Sequence, residues 1–479
     1  MGLVSTTPLV VDLDGTLTPT DTLVESIIQL AKQHPLDLLK LPFWLFKGRA
    51  AFKANIALRS ALPITNLPFR TSLVDYLRNE KQNGRQLILA TAANSNIANA
   101  VAAHLDLFDT VLASSENLNL KGIAKLTAIQ QTVGHKFVYA GDNKADLPIW
   151  QAAQAAILVN TSKNVGNAVR KNIPIELELP AAKADVRVWL RALRVHQWFK
   201  NLLLFVPLLT AFSSQEIDKL LMVMLAFIAF SLAASATYMG NDLWDLENDR
   251  SHPRKKFRPF ASAEIPILKG VAVAVALLVL GLVLAVNVSL NFFWMLLLYL
   301  VATTIYTWVL KTYVLVDVIV LSLLYTLRII AGSVAAGVST SFWLLAFSVF
   351  IFFSLALVKR CSELLTLKER GKKAAHGRDY CTTDLVVLWP LGVGSALSAV
   401  VVFGLYINAP ETQLRFGSPQ VLWLVGIGLI YWLARLWIKT ARGEMHDDPL
   451  VFAIRDFGSR ITIFVMLAAT LAAHFLVLK

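Results

Sequence analysis

Cysteine is nearly absent. The chain holds two in 479 residues, Cys361 and Cys381, both in or beside a Lys/Arg-rich loop, which excludes a disulfide framework and a Cys-rich metal centre. Histidines with ligand spacing are missing too, since His196, His252 and His446 stand apart. Charged residues make up only 16% of the chain against 56% hydrophobic, and the mean hydropathy of +0.58 lies outside the range of ordinary soluble proteins. The formal charge of +13 comes without a nucleic-acid motif. In the second half, the basic residues gather in short loops between apolar runs, where membrane topology and anionic lipid account for them. A nucleic-acid partner is therefore not expected. Residues 9–13 are too short an apolar run for a cleavable signal and lead into an acidic motif.

What is present divides in two. Residues 1 to about 185 have the composition of a soluble domain, whereas residues 186–479 repeat apolar runs near the length a helix needs to cross a bilayer. In the first part, Leu9-Val10-Val11-Asp12-Leu13-Asp14-Gly15-Thr16 reads as a buried strand ending in two aspartates and a turn glycine. A second strand pattern ends at Thr91. A third, beginning at Phe137, ends in Asp142 and Asp146. Strands alternating with helical stretches predict a parallel α/β sheet with its crevice at the strand ends. Carboxylates, a hydroxyl and a lysine gathered there suit phosphoryl transfer through an aspartate, with Mg²⁺ between acids and phosphate.

This set resembles the four motifs of the haloacid dehalogenase superfamily of phosphatases. The resemblance implies Asp12 as nucleophile, Asp14 as acid/base, Thr91 as the second-motif hydroxyl, and Asp12, Asp142 and Asp146 on the metal. For the third-motif lysine, Lys121 is the first choice and Lys125 the reserve, because the spacing admits either. Helical patterning over about 18–80 is placed as a cap over such a site. Within it, Phe43, Trp44 and Phe46 stand between Lys40, Lys47 and Arg49. That stretch either rests its aromatics on the membrane interface or packs against its own domain.

In the second part, nine spans are predicted, near 199–213, 218–240, 267–288, 291–310, 314–337, 341–360, 385–407, 421–440 and 457–478. Loops after the even-numbered spans are basic, so they and the first domain are expected on the cytoplasmic side of the inner membrane, with the C-terminus outside. At the end of the second span stands Asn241-Asp242-Leu243-Trp244-Asp245-Leu246-Glu247-Asn248-Asp249. On a helix Asn241, Asp242, Asp245 and Asp249 share a face, and hard oxygen ligands at a membrane boundary suit Mg²⁺ shared with a diphosphate. The following Arg250, Arg254, Lys255, Lys256 and Arg258 add donors for further phosphate oxygens. Lys311 and Asp317 lie where the fourth and fifth spans meet, Arg328 lies deeper inside a span, and Lys200 and Asn201 open the first; all are expected to line the same cavity. Asp447 and Asp448 are read as helix caps rather than metal ligands.

This half resembles the UbiA superfamily of nine-helix intramembrane prenyltransferases. It departs from the aromatic prenyltransferases in its second motif, where Asp317 stands with Lys311 and without a paired aspartate. The stretches around Arg194-Val195-His196-Gln197-Trp198-Phe199-Lys200-Asn201, Leu327-Arg328-Ile329-Ile330-Ala331-Gly332 and Lys359-Arg360-Cys361 are similar to the decaprenyl-phosphate phosphoribosyltransferase branch. The resemblance implies phosphoribosyl diphosphate as donor, a polyprenyl phosphate as acceptor, Mg²⁺ in both domains, and Lys359 and Arg360 among the substrate-binding residues. The alternative is an aromatic or quinone-type prenyltransferase that uses polyprenyl diphosphate.

Overall fold

The computed structural model describes residues 7–180, 185–212, 216–371, 378–445 and 449–476. Asp447 and Asp448, expected as caps, lie outside them. The chain forms two compact units, Met1–Leu193 with Tyr238–Ala274, and Arg194–Thr237 with Val275–Lys479.

In the first unit six strands, β1 (Leu9–Val11), β2 (Leu87–Asn94), β3 (Thr110–Ser114), β4 (Val138–Gly141), β5 (Ala155–Val159) and β6 (Ile175–Leu179), form one sheet in the order β3-β2-β1-β4-β5-β6. All pairs are parallel, with Val10 opposite Ile88 on one side and Tyr139 on the other. Alternation along β1 sends Leu9 and Val11 to one core, with Leu87 and Leu89, and Val10 to another, with Ile88, Tyr139 and Leu158. Both faces are covered, so the strands read as unbroken apolar runs. The chain order reverses at β1, which opens the crevice beyond the ends of β1 and β4. Between β1 and β2 the chain forms the cap, with α1 (Thr22–Gln33), a 3₁₀ segment Pro35–Lys40, α2 (Leu41–Phe46) and α3 (Arg49–Arg59). Asp21 caps α1, accepting from the N–H groups of Leu23 and Val24.

Among the described residues, eight helices are long and apolar enough to cross a membrane: Ile217–Trp244, Ile267–Val288, Leu290–Trp308, Val316–Ala336, Phe342–Glu369, Thr382–Ile407, Pro419–Ala441 and Phe457–Phe475. Eight of the nine expected spans thus correspond to such helices. Their outer faces are apolar and uncovered, as in the stripe Val271, Val275, Val279 and Val286. Such a stripe is a liability in water and a requirement in lipid.

The expected first span differs. Val195–Phe205 winds as a 3₁₀ helix and Val206–Thr210 as a short α-helix carrying Pro207. Polar anchors hold it: Asn201 donates to the Ser231 hydroxyl at 3.0 Å, and Trp198 Nε1 donates to Ser235 Oγ at 2.9 Å. It passes so close to Val316–Ala336 that a Cβ on Gly332 would stand 2.1 Å from the Leu204 carbonyl oxygen.

Candidate active site

β1 delivers Asp12 and Asp14 to the crevice, and β4 delivers Asp142 and Asp146. Ligand oxygens of Asp12, Asp142 and Asp146 lie within 4.8 Å of one another, and among the described residues this is the one acidic triad so gathered. Gly15 makes room for it. Its φ is +80°, and a Cβ there would stand 2.2 Å from an Asp142 oxygen. The cluster bounds a cavity of about 410 Å³ that also takes in Asp14, Thr20, Lys53, Asn94, Lys121 and Lys125.

The lysine in contact with the nucleophile position is Lys125, not Lys121. Lys125 Nζ lies 3.0 Å from Asp12 Oδ1 and 3.7 Å from Asp146 Oδ1, almost fully buried. It also donates to Tyr139 Oη at 3.0 Å, and the Tyr139 hydroxyl donates to Asp146 Oδ1 at 2.8 Å. Lys121 lines the cavity with an exposed side chain. The reason is helical phase: Lys125 and Ile129 are the buried residues of Ile123–Val133, one turn apart, while Lys121 precedes the helix across Gly122, whose φ is +60°. Thr91 is fully buried in β2, accepting from the Ala93 N–H at 3.0 Å, and the cavity wall beside it is Ala92, Ala93 and Asn94.

Burial sets the proton affinities. It lifts Asp12 to about 6 against the pull of the Lys125 ammonium. Burial also raises Asp14 to about 7, with Asp21 adding to the rise. Asp142 goes up to about 7 through burial and then through the charges of Asp12 and Asp146. Burial works against the Lys125 ammonium, yet the surrounding carboxylates keep its pKa above the ordinary value. Four acids and one contacting ammonium leave negative charge in excess, and oxygen donors at this spacing fit Mg²⁺. Bound there by Asp12, Asp142 and Asp146, the ion would neutralise that charge and polarise a phosphate oxygen.

Two cap residues escaped the sequence reading. Lys53 of α3 reaches into the cavity, donating to the Ala92 carbonyl at 2.6 Å and to Asn119 Oδ1 at 3.1 Å, and burial lowers its pKa. Nothing in an amphipathic helix singles out one lysine for this. Arg70 holds the turn after β1 by donating to the carbonyls of Thr16 and Gly15.

The first transferase motif lies in the same unit. Arg258 Nη1 stands 3.0 Å from Asp242 Oδ1 and 2.6 Å from Asp249 Oδ2, so a guanidinium bridges two of the expected metal carboxylates. Asp249 Oδ1 is buried without a hydrogen-bond partner, with Lys255 Nζ 3.8 Å from it. Asp242 and Asp249 thus share the Arg258 guanidinium while Asp249 keeps an orphaned oxygen, a donor set that fits Mg²⁺ once Arg258 withdraws. Asn241 and Asp245 are half-buried beside them, at the break between Ile217–Trp244 and Leu246–Ser251, and Asp245 does not close a triad with these two. Arg250 is placed otherwise than expected. It pairs with Glu25 of α1, a buried carboxylate, and the two line one small cavity. Arg254 and Lys256 are exposed.

In the second unit, Arg328 is buried and held by neutral groups, donating to Asn201 Oδ1 at 3.1 Å, Tyr299 Oη at 2.8 Å and the Leu324 carbonyl at 2.8 Å. The Phe230 and Tyr325 rings flank its guanidinium. Lys200 and Lys359 line one small cavity with Tyr325. Asp317 and Arg360 are spent on each other. Arg360 Nε lies 3.0 Å from Asp317 Oδ2, the Tyr380 hydroxyl donates to Asp317 Oδ1 at 2.5 Å, and Arg360 also pairs with Glu363. Lys311 is half-buried nearby in the chain, before Leu315, whose φ is +63°.

A doubly wound sheet carrying buried aspartates, joined to a set of membrane-length helices, defines a multi-pass membrane enzyme with a hydrolase-type domain. The chain belongs to the UbiA prenyltransferase family: residues 202–476 match that family's model, and residues 9–151 match that of haloacid dehalogenase-like hydrolases. It is 38% identical over 456 residues to the Sinorhizobium fredii protein y4nM, covering 94% of this chain and 87% of that one. A decaprenyl-phosphate phosphoribosyltransferase of Mycobacterium tuberculosis is 35% identical over 272 residues, 56% of this chain and 87% of the relative. A UbiA homolog from Archaeoglobus fulgidus bound to GPP and Mg²⁺ superposes with a TM-score of 0.44 at 18% identity, over 59% of this chain and 99% of that one.

Proposed function

We propose that the helical part transfers a 5-phosphoribosyl group from phosphoribosyl diphosphate to a polyprenyl phosphate, and that the first domain then removes the 5-phosphate from the lipid-linked product. The observation that carries the second half is the wall of the phosphatase cavity. Besides Asp12 and Asp14 it includes Ala263, Ile265, Pro266, Ile267 and Leu268, the last two being the first residues of the membrane-length helix Ile267–Val288. An apolar wall at the root of such a helix suits a phosphate whose other end stays in lipid. The donor assignment is supported by the similarity to decaprenyl-phosphate phosphoribosyltransferase and by the basic residues that follow the first motif.

In the phosphatase step Asp12 attacks phosphorus, the bond from phosphorus to the ribose oxygen breaks, and Asp14 delivers its proton to that oxygen. Asp14 then takes a proton from the water that hydrolyses the aspartyl phosphate, which restores both residues. Thr22 N–H donates to Asp14 Oδ1 at 2.8 Å and holds it in place. In the transferase step Asp242, Asp245, Asp249 and Asn241 would hold Mg²⁺ against the departing diphosphate, while Arg254, Lys255, Lys256 and Arg258 take further phosphate oxygens. Localisation in the inner membrane with the first domain cytoplasmic is part of the same reading, as is a domain boundary near residue 185.

The test is mass spectrometry of the lipid formed by the purified full chain from phosphoribosyl diphosphate and polyprenyl phosphate. The wild type should yield lipid-linked ribose, Asp12→Asn lipid-linked ribose phosphate, and Asp245→Asn neither. Turnover of polyprenyl diphosphate with an aromatic acceptor instead would establish the prenyltransferase alternative, and an unchanged product from Asp12→Asn would remove the phosphatase from the sequence.

A further inference from the structure

We infer that the outer face of the cap, on Pro35–Lys40 and α2, rests on the bilayer surface, with anionic lipid headgroups as its partner. A 3₁₀ helix repeats every three residues and an α-helix every 3.6. Leu36 with Leu39, and then Phe43 with Phe46, therefore fall on one side of their turns. These four are exposed at 78%, 81%, 61% and 91%. Leu38, Leu41 and Trp44 fall on the other side and pack with Leu30 and Ile56. The cap's own core is thus filled, and these four, with Leu45 as a fifth, remain outside it.

Charge selects the occupant. Apart from Lys53, which turns into the cavity, residues 36–59 hold Lys40, Lys47, Arg49 and Arg59 against the single acid Asp37. Asp37 is answered twice, by Lys40 at 2.7 Å and by Arg59 at 3.7 Å. Lys47 Nζ sits over the Phe43 ring at 4.8 Å, which places cation and aromatic in one patch. Aromatic and leucine side chains between lysines are the composition of a segment lying in the headgroup layer, and twelve residues are too few to span. Proximity to a bilayer comes from the same unit. Lys53 and Ile56 of α3 line the same cavity as Ile267 and Leu268, and those two residues begin a membrane-length helix. A cap held on the surface keeps the cavity of Asp12 beside the headgroups, whichever phosphate it takes.

The experiment uses the full chain in nanodiscs containing anionic lipid, with Cys381→Ser removing the exposed thiol and Cys361 left buried. A bimane label is placed at Phe46→Cys, Leu39→Cys or Asn83→Cys, the last on the exposed end of Thr71–Gln82, and quenching by nitroxide-labelled lipid is measured. Quenching at the two cap positions should exceed that at Asn83 by about twofold or more. It should fall toward the Asn83 value when Lys40→Glu and Lys47→Glu are added. Equal quenching at all three positions overturns the inference. So does dipolar broadening between spin labels at Phe46→Cys, which would put a second copy of the chain on the face.

Discussion

Glu25 and Arg250, 225 residues apart in sequence, form a two-pronged ion pair, with Nη2 to Oε1 at 2.6 Å and Nη1 to Oε2 at 3.1 Å. Less than a tenth of either side chain is exposed. The pair joins helix α1 of the cap to the residue that follows Asp249 of the acidic motif. Gln29, one turn further along α1, donates to Glu247 at 3.0 Å beside it. Thr20 adds a hydrogen bond to Glu25 at 2.7 Å.

Breaking a buried pair from one side strands a charge. Glu25→Ala or Arg250→Ala should therefore each destabilise the first unit by roughly 3–5 kcal/mol, while Glu25→Gln with Arg250→Met should cost clearly less. Thermal unfolding of the solubilised chain reads the difference. Because Thr22, on the same turn of α1, holds Asp14, the single variants should also slow phosphate release. Additive effects of the two single changes would show that the pair does not act as a unit.

Lys125 and Lys121 are separable by truncation. Lys125→Ala removes the ammonium against Asp12 and should lower phosphatase kcat by ~10²-fold or more, while Lys121→Ala should change it only a few-fold. A larger loss at Lys121 would return the third-motif role to it.

The raised carboxyl pKa values of the Asp12 cavity set a pH dependence. Folded Asp12 near 6 and Asp14 and Asp142 near 7 hold protons that the unfolded chain releases from about its ordinary carboxyl pKa of 3.8 upward. The folded state then binds more protons than the unfolded one between these limits, so the stability of the metal-free protein falls as pH rises through that window. Mg²⁺ favours the ionised forms. Adding it after chelation should raise the melting temperature distinctly at pH 8 and little at pH 5. An equal rise at both values would mean that the ion binds elsewhere. In the proposed phosphatase step Asp14 acts protonated, so kcat for phosphate release should decline above about pH 7.

Gly332→Ala sets a Cβ against backbone, 2.1 Å from the Leu204 carbonyl oxygen, where no flexible side chain can yield. Overpacking of this kind costs about 1–3 kcal/mol or more. It should also displace Asn201 from Arg328, reducing transferase turnover. Gly394→Ala, which meets nothing within 4 Å, should leave folding and turnover near wild type. Matching yields of folded protein for the two variants would show that the segment yields without penalty.

Much of this protein is written locally. Apolar run length separates a membrane half from a soluble one, and eight helices follow it, because transfer of a twenty-residue segment into lipid is a sum over its own side chains. Strand ends carrying Asp12, Asp14, Asp142 and Asp146 are equally local, since a parallel sheet brings the residues after its strands to one edge whatever the details of packing. The run at 199–213 is not matched by one long helix, and its Trp198 and Asn201 are tied to Ser235, Ser231 and Arg328 instead.

Tertiary structure decided which members of each local set meet. The sequence puts Lys121 ahead of Lys125 on a spacing that admits either, and only the phase of Ile123–Val133 against the sheet turns Lys125 inward. Trp44 reads like Phe43 and Phe46 until Leu30 and Ile56 close around it and leave the other two outside. Arg250 reads as one more phosphate-binding cation until α1 brings Glu25 to it. The same physical reason underlies all three: composition fixes the environment a segment prefers, but a pairing between residues far apart in sequence depends on the rotation and placement of whole elements. Those follow from the packing of many side chains at once and from no single stretch of the chain.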